Sequence, residues 1–350
     1  MRLAGISACV PKNKVETSAA YDNFKQFDVD RIIGNTGVKE KREAEPGVTT
    51  TDLCIAAAGP LLDQLGWERE SVDAVVLVTS SPDYVMPASA HVAHRELGLS
   101  ERCLVFDVNL GCSGFTHGMM IVESFIASGL VKRGLLLCGD MTSGTIRPRL
   151  RECDQRPDLA NAILFGDAGT ATALSAEGDD VRARSFAADG SGIKHIIVPG
   201  GAAREPWAPA LFERRMNEYD EERRPIDLVL RGPEILTFTM KKVPPLLREL
   251  LEGAGWAVDD VDSFVLHQAN RFMLDFLAKR MKLPKDRVPM SIAEYGNTSS
   301  ASIPLTMVAC SQGLMQPRTK WVMMGFGVGL SWSGLAMETE GVVSLPLIEV

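Results

Sequence analysis

The feature that most constrains this chain is that its second half repeats its first. Gly66-Trp67, four residues and Val72-Asp73-Ala74-Val75-Val76-Leu77 recur as Gly255-Trp256, four residues and Val261-Asp262-Ser263-Phe264-Val265-Leu266. Each copy follows an apolar helical stretch that contains Pro-Leu-Leu. Further on, Tyr295-Gly296-Asn297-Thr298-Ser299 falls where Leu110-Gly111-Cys112-Ser113-Gly114 stands in the first copy, and Trp321 to Gly325 falls where Leu135 to Gly139 stands. Three matches in one order at a nearly constant offset identify a duplicated unit. Since 350 residues is also long for one simple core, the chain reads as two similar α/β halves, 1–175 and 176–350. A duplicated unit pairs with its copy about a pseudo-twofold axis, which brings equivalent turns face to face.

Within the first half, Met1 to Ile6 reads as a strand, and Thr49-Thr50-Thr51-Asp52 caps a helix running to about Leu65. Val72 to Thr79 is a strand, Pro82 to Pro87 a loop and His91 to Leu97 a short helix. Cys103 to Val108 has the composition of a buried strand, Met119 to Val131 is apolar and of helical length, and Gly134 to Asp140 is a strand. Residues 199–224 form a charged insertion bearing Pro, Gly, Trp207, Phe212 and Tyr219. Its aromatic content favours a packed lid over a flexible linker.

The turn Asn109-Leu110-Gly111-Cys112-Ser113-Gly114-Phe115 sets one cysteine between small residues, after a strand and before a helix. Unpaired N–H groups and the helix dipole at such a point favour a thiolate, so the Cys112 pKa is expected below that of free cysteine. The repeat places Asn297 on the equivalent turn and His267 where the first half has Val78. Singly, each has an ordinary structural reading: a buried thiol, a satisfied core histidine, a helix cap. On repeat-equivalent turns together they suggest a site, in which a thiolate takes an acyl group from a thioester while imidazole and carboxamide donate hydrogen bonds to an enolate. Gly325-Phe326-Gly327-Val328-Gly329 lacks the room and the downstream acid of a dinucleotide loop and reads instead as backbone able to offer an N–H to an oxyanion. No metal spacing is present: there is no Cys-x-x-Cys and no His-Glu-x-x-His.

A net charge of -8 and a pI near 5.3 argue against broad binding to nucleic acid or to an anionic membrane. Seven irregularly spaced cysteines and no membrane-length apolar run point to a cytoplasmic protein.

Gly111-Cys112-Ser113-Gly114-Phe115, Leu266-His267-Gln268-Ala269-Asn270, Gly296 to Ser302 and Gly325 to Trp332, with Phe165-Gly166-Asp167 and Ala188 to Ser191, resemble the motifs of the β-ketoacyl-acyl-carrier-protein synthase III family. The resemblance spans almost the whole chain. It implies the thiolase fold, an internally duplicated αβαβα layered architecture with mixed sheets, and a homodimer. It implies acyl transfer from acyl-CoA to Cys112, then decarboxylative condensation with malonyl-acyl carrier protein; CoA and carrier thioesters are substrates and no cofactor is required. His267 and Asn297 would promote decarboxylation, the N–H groups of Cys112 and Val328 would form an oxyanion hole, and Phe326 and Gly327 would border the pocket. Met86 stands where a partner subunit inserts an acyl-pocket side chain. Arg271, Lys279, Arg280 and Lys282 match a basic face that docks the acidic carrier. The CoA-binding positions would include Asn270; here they carry Arg31 and Asn35 where many members have tryptophan and arginine, and Leu159 for a second arginine, with Arg156 nearby. A ketosynthase-like acyltransferase acting on a hydroxyl or amine, and a non-catalytic partner subunit, are the alternatives.

Overall fold

The computed structural model describes residues 1–21, 24–143, 159–217, 219–310 and 318–350. The first half runs β1 (Arg2–Val10), α1 (Gln26–Thr36), α2 (Thr50–Gln64), β2 (Ala74–Val78), α3 (Ala90–Glu96), β3 (Leu104–Val108), α4 (Gly114–Ala127), β4 (Arg133–Asp140) and β5 (Ala168–Ser175). The second runs β6 (Val181–Ala188), α5 (Gly232–Ala254), β7 (Ser263–Leu266), α6 (Arg271–Arg280), α7 (Ser302–Ala309), β8 (Arg318–Gly327) and β9 (Ser331–Glu340). The expected cap of α2 is a reciprocal box between Thr49 and Asp52, which satisfies two amides that the first helical turn leaves open. The helix expected over Met119 to Val131 begins earlier, at Gly114, and ends at Ala127.

Two sheets carry the fold. One has the order β1-β5-β4-β2-β3, the other β7-β8-β9-β6. In the first, β2 lies parallel to β4 with Ala74 opposite Gly134; in the second, β7 lies parallel to β8 with Ser263 opposite Trp321. β4-β5-β1 and β8-β9-β6 then continue antiparallel. The repeat is therefore real, but its last match is one residue out: Trp321 occupies the place of Gly134, not Leu135. A one-residue change of register exchanges the faces of a strand, and composition does not fix it here because β2 and β7 are buried on both sides.

α2 covers the outer face of the first sheet and α5 that of the second, while α4 contacts strands of both sheets and α7 contacts β1, β5 and β7. The result is five layers, helix-sheet-helix-sheet-helix. Glycine makes the central layer thin enough: a Cβ on Gly114 would sit 2.4 Å from Val78 Cγ1, and one on Gly325 would sit 2.8 Å from Ser113 Cα. Backbone thus packs against side chain and backbone in the middle of the molecule.

Two expectations are corrected. Cys103 to Val108 is not a buried strand; β3 is a half-exposed edge strand, with Leu104 38 % accessible. Among the described residues the second sheet has no counterpart to it, and the chain beyond α6 runs through Val288-Pro289-Met290, where proline withholds a ladder N–H. The C-terminus, assigned to the second half, crosses back: Val343–Ser344 and Ile348–Glu349 pair parallel with β1. No helix among the described residues is long and apolar enough to cross a membrane.

Candidate active site

One cavity of about 620 Å³ is lined by Cys112, His267 and Asn297 together with Asn270, Phe326, Gly327 and Val328. Cys112 lies on the turn between β3 and α4. The backbone N–H groups of Val328 and of Cys112 itself act on the sulfur to lower its pKa. Only glycine permits this approach at the end of β8, because a Cβ on Gly327 would lie 2.5 Å from Cys112 Cβ and 2.6 Å from its sulfur. A hydroxyl link supports the arrangement from beneath: Ser113 Oγ and Ser331 Oγ are 2.6 Å apart, and Ser331 Oγ donates to the Val328 carbonyl at 2.8 Å.

His267 follows β7 and is buried. Its amide donates to Met324 O at 2.9 Å, Nδ1 lies 2.7 Å from Ser302 Oγ, and Phe326 packs edge-on at 5.7 Å. Burial dominates and pushes its pKa down to about 3, against the backbone of Ser299, which works to raise it. The imidazole is neutral at physiological pH. Asn297 donates from Nδ2 to Ala269 O at 3.3 Å and accepts on Oδ1 from the Ser299 amide at 2.9 Å. Its backbone bridges to Phe165 of the first half.

The expectation of an acidified thiol is overturned. Burial pushes Cys112 up to about 11, and Asp140 adds to the rise, while the backbone amides of Val328 and Cys112 only partly offset it. Loss of solvation for an anion outweighs the dipoles aimed at it.

The other expected positions divide. Asn270 caps α6, accepting from Met273 N at 2.8 Å, and lines the cavity. Arg31 is exposed and pairs with Asp28 at 3.7 Å; Asn35 is exposed; neither borders the cavity. Leu159 is buried in the core, and Arg156 lies outside the described residues. Met86 is 81 % exposed and is not part of this chain's own cavity lining. Arg271, Lys279 and Arg280 are exposed on α6, with Lys282 just beyond it. Sequence reasoning missed Phe272 and Phe276, whose rings sit 6.5 Å apart on the same exposed face. It also missed Ser302 as the partner of His267, and the apolar wall that Ile197, Trp207, Ile226 and Leu228 give the cavity. Trp207 is the single sign the sequence held of that wall.

The family description "3-Oxoacyl-[acyl-carrier-protein (ACP)] synthase III" matches residues 106–190, and its C-terminal counterpart matches residues 251–339. A β-ketoacyl-[acyl-carrier-protein] synthase III of Gloeobacter violaceus is 31% identical over 337 residues, covering 96% of this chain and 97% of the relative. The chain belongs to the synthase III family. A second relative, the β-ketoacyl-[acyl-carrier-protein] synthase III 2 of Streptomyces coelicolor, is 30% identical over 97% of this chain and 94% of its own length. Among solved structures, the 3-oxoacyl-(acyl-carrier protein) synthase of Burkholderia xenovorans superposes with a TM-score of 0.90 at 38% identity, covering all of this chain and 97% of its own. The five-layer architecture is accordingly the thiolase fold of the synthase III enzymes.

Proposed function

We propose that this chain catalyses the two half-reactions of a β-ketoacyl-acyl-carrier-protein synthase III through Cys112, His267 and Asn297. The observation that carries the reading is their convergence on one cavity. In the first half-reaction the Cys112 sulfur adds to the carbonyl of an acyl-CoA, and the oxyanion takes the N–H bonds of Cys112 and Val328. Collapse breaks the bond to the CoA sulfur, which leaves with the proton lost by Cys112. In the second, the carboxyl-carbon bond of malonyl-acyl carrier protein breaks and CO2 departs. The electron pair passes to an enolate whose oxygen accepts from His267 and Asn297. The enolate carbon then attacks the acyl carbonyl, forms the new carbon-carbon bond and expels the Cys112 thiolate. A neutral His267 suits a hydrogen-bond donor, since an imidazole of pKa about 3 is a weak base.

The exposed basic and aromatic face of α6 supports docking of an acidic carrier, and Asn270 supports a place for the thioester arm. The open ladder of β3 and the exposed Tyr84, Val85 and Met86 support a homodimer, because an unpaired apolar edge seeks a second strand. The six described cysteines are free, which favours the cytoplasm.

Purified protein, acyl-CoA and malonyl-carrier test the reading by CO2 release and product mass. Cys112→Ala is expected to lose the covalent acyl adduct. His267→Ala and Asn297→Ala are expected to keep the adduct and lose about a hundredfold in decarboxylation. Acylation of Cys112 with no CO2 and no β-ketoacyl product would refute condensation.

A further inference from the structure

Lys41 is a lysine 3 % exposed, far from any surface role. Its Nζ lies 2.8 Å from Glu43 Oε1 and donates to Ala162 O and, at 3.1 Å, to Phe165 O. Burial works against its charge, yet Tyr21 and Glu43 outweigh that and hold its pKa above the ordinary value. The two carbonyls it meets lie at the C-terminal end of a short helix, Leu159–Leu164, where carbonyls lack helical partners and the dipole favours a cation.

The accounting of that helix end leads to Asn297. Asn161 O accepts from Phe165 N at 3.1 Å and Leu164 O accepts from Asn297 N at 2.8 Å. Ala162 O accepts from Tyr21 Oη at 3.0 Å as well as from Lys41. Phe165 O and Gly166 N–H belong to one planar peptide. Lys41 holds its carbonyl edge, and its opposite edge donates to Asn297 O at 3.2 Å. Gly166 allows the contact, since a Cβ there would lie 2.1 Å from Tyr295 O.

We propose that Lys41 is a positioning residue for Asn297, orienting the carboxamide through the Phe165-Gly166 peptide that its ammonium fixes. The proposal rests on Asn297 serving decarboxylation, so its consequence falls on the second half-reaction. Removing the cation frees the peptide to rotate and moves Asn297, while the Cys112 turn, Val328 and their hydrogen bonds are untouched.

The test separates the half-reactions. In Lys41→Met/Glu43→Gln, which removes both charges together, acylation of Cys112 by acyl-CoA, followed by mass, is expected within about twofold of the parent; malonyl decarboxylation is expected to fall about tenfold or more, as for a catalytic group displaced by a fraction of an ångström. Lys41→Arg, which keeps the cation and its donors, is expected to restore most of that rate. Undiminished decarboxylation in the double variant overturns the proposal, as does equal loss of both half-reactions, which marks a structural role. Should the double variant not fold, Lys41→Gln, which keeps one donor, is expected to give the same split at smaller size, and equal loss there overturns the proposal too. If Asn297→Ala itself leaves decarboxylation intact, the assignment of Asn297 fails instead.

Discussion

At the scale of single residues, Cys112, His267 and Asn297 are three neutral side chains. Cys112 is protonated at physiological pH because burial raises it to about 11, and His267 is neutral because burial lowers it to about 3. A charged pair formed by proton transfer between them before substrate arrives is disfavoured at both ends. Reaction at the sulfur therefore has to draw on a small thiolate fraction, which grows about tenfold per pH unit below the pKa. Alkylation of Cys112 by iodoacetamide is expected to quicken across pH 7 to 10 with no plateau; a plateau near neutrality would contradict the burial effect. In compensation, the sulfur sits among N–H groups already in place for an oxyanion, so stabilisation arrives as charge develops on the substrate.

At the scale of elements, Cys112 and His267 are held just beyond strand ends, while Asn297 sits in the loop after the short helix Ile292–Tyr295. β8 ends in Gly327 against Cys112, and the fit leaves no room for a methyl group. Gly327→Ala is expected to abolish the acyl adduct by mass and to cost about 1–3 kcal/mol in a urea titration, the usual penalty of overpacking. An intact adduct would show that the strand end yields. The insertion has a different character. It forms no long helix or strand among its described residues, but an antiparallel bridge between Ala202 and Glu205, a 3-10 turn, Pro209–Phe212, and a two-stranded hairpin, Arg215–Met216 with Glu222–Arg223. The expected packed lid is realised only in part: Trp207 borders the cavity yet is 64 % exposed, and its Phe212 neighbour is 58 % exposed. Trp207→Ala is expected to leave stability within about 0.5 kcal/mol. It should raise KM for a medium-chain acyl thioester about tenfold relative to acetyl, through lost apolar contact. Equal change for both chain lengths would remove Trp207 from acyl recognition.

At the scale of the whole molecule, the two halves are joined through buried polar groups as well as apolar layers. Asp140 of β4 accepts from Ser300 N at 3.2 Å and from Ser80 N at 2.7 Å, and Ser300 Oγ donates to Val78 O. Halves tied in this way unfold together, so titration of a buried group is felt as global stability. His267 and His117 both have pKa values lowered by burial. For a folded pKa below the unfolded value of 6.5, the unfolded chain binds more protons as pH falls, and stability present above that pH is lost below it. Urea midpoints are expected to decline from about pH 6.5 downward, with each such histidine contributing a slope of up to about 1.4 kcal/mol per pH unit. His267→Gln is expected to shallow that slope; an unchanged slope would exclude His267 from the acid transition.

The chain's own order of residues determined the duplication, the turns that carry Cys112 and Asn297, the break of pattern at His267 and the capping of α2, because each is written in local spacing or in a motif. The tertiary structure decided the rest. It set the register of β8 against β7, the return of the C-terminus to β1, the neutral state of Cys112 and His267, the Ser302 contact and the reach of Lys41 to the peptide beneath Asn297. Those depend on which groups lie across a sheet or behind a turn, and on how much water is excluded there. Spacing along the chain carries no information about either until the two halves have closed on one another.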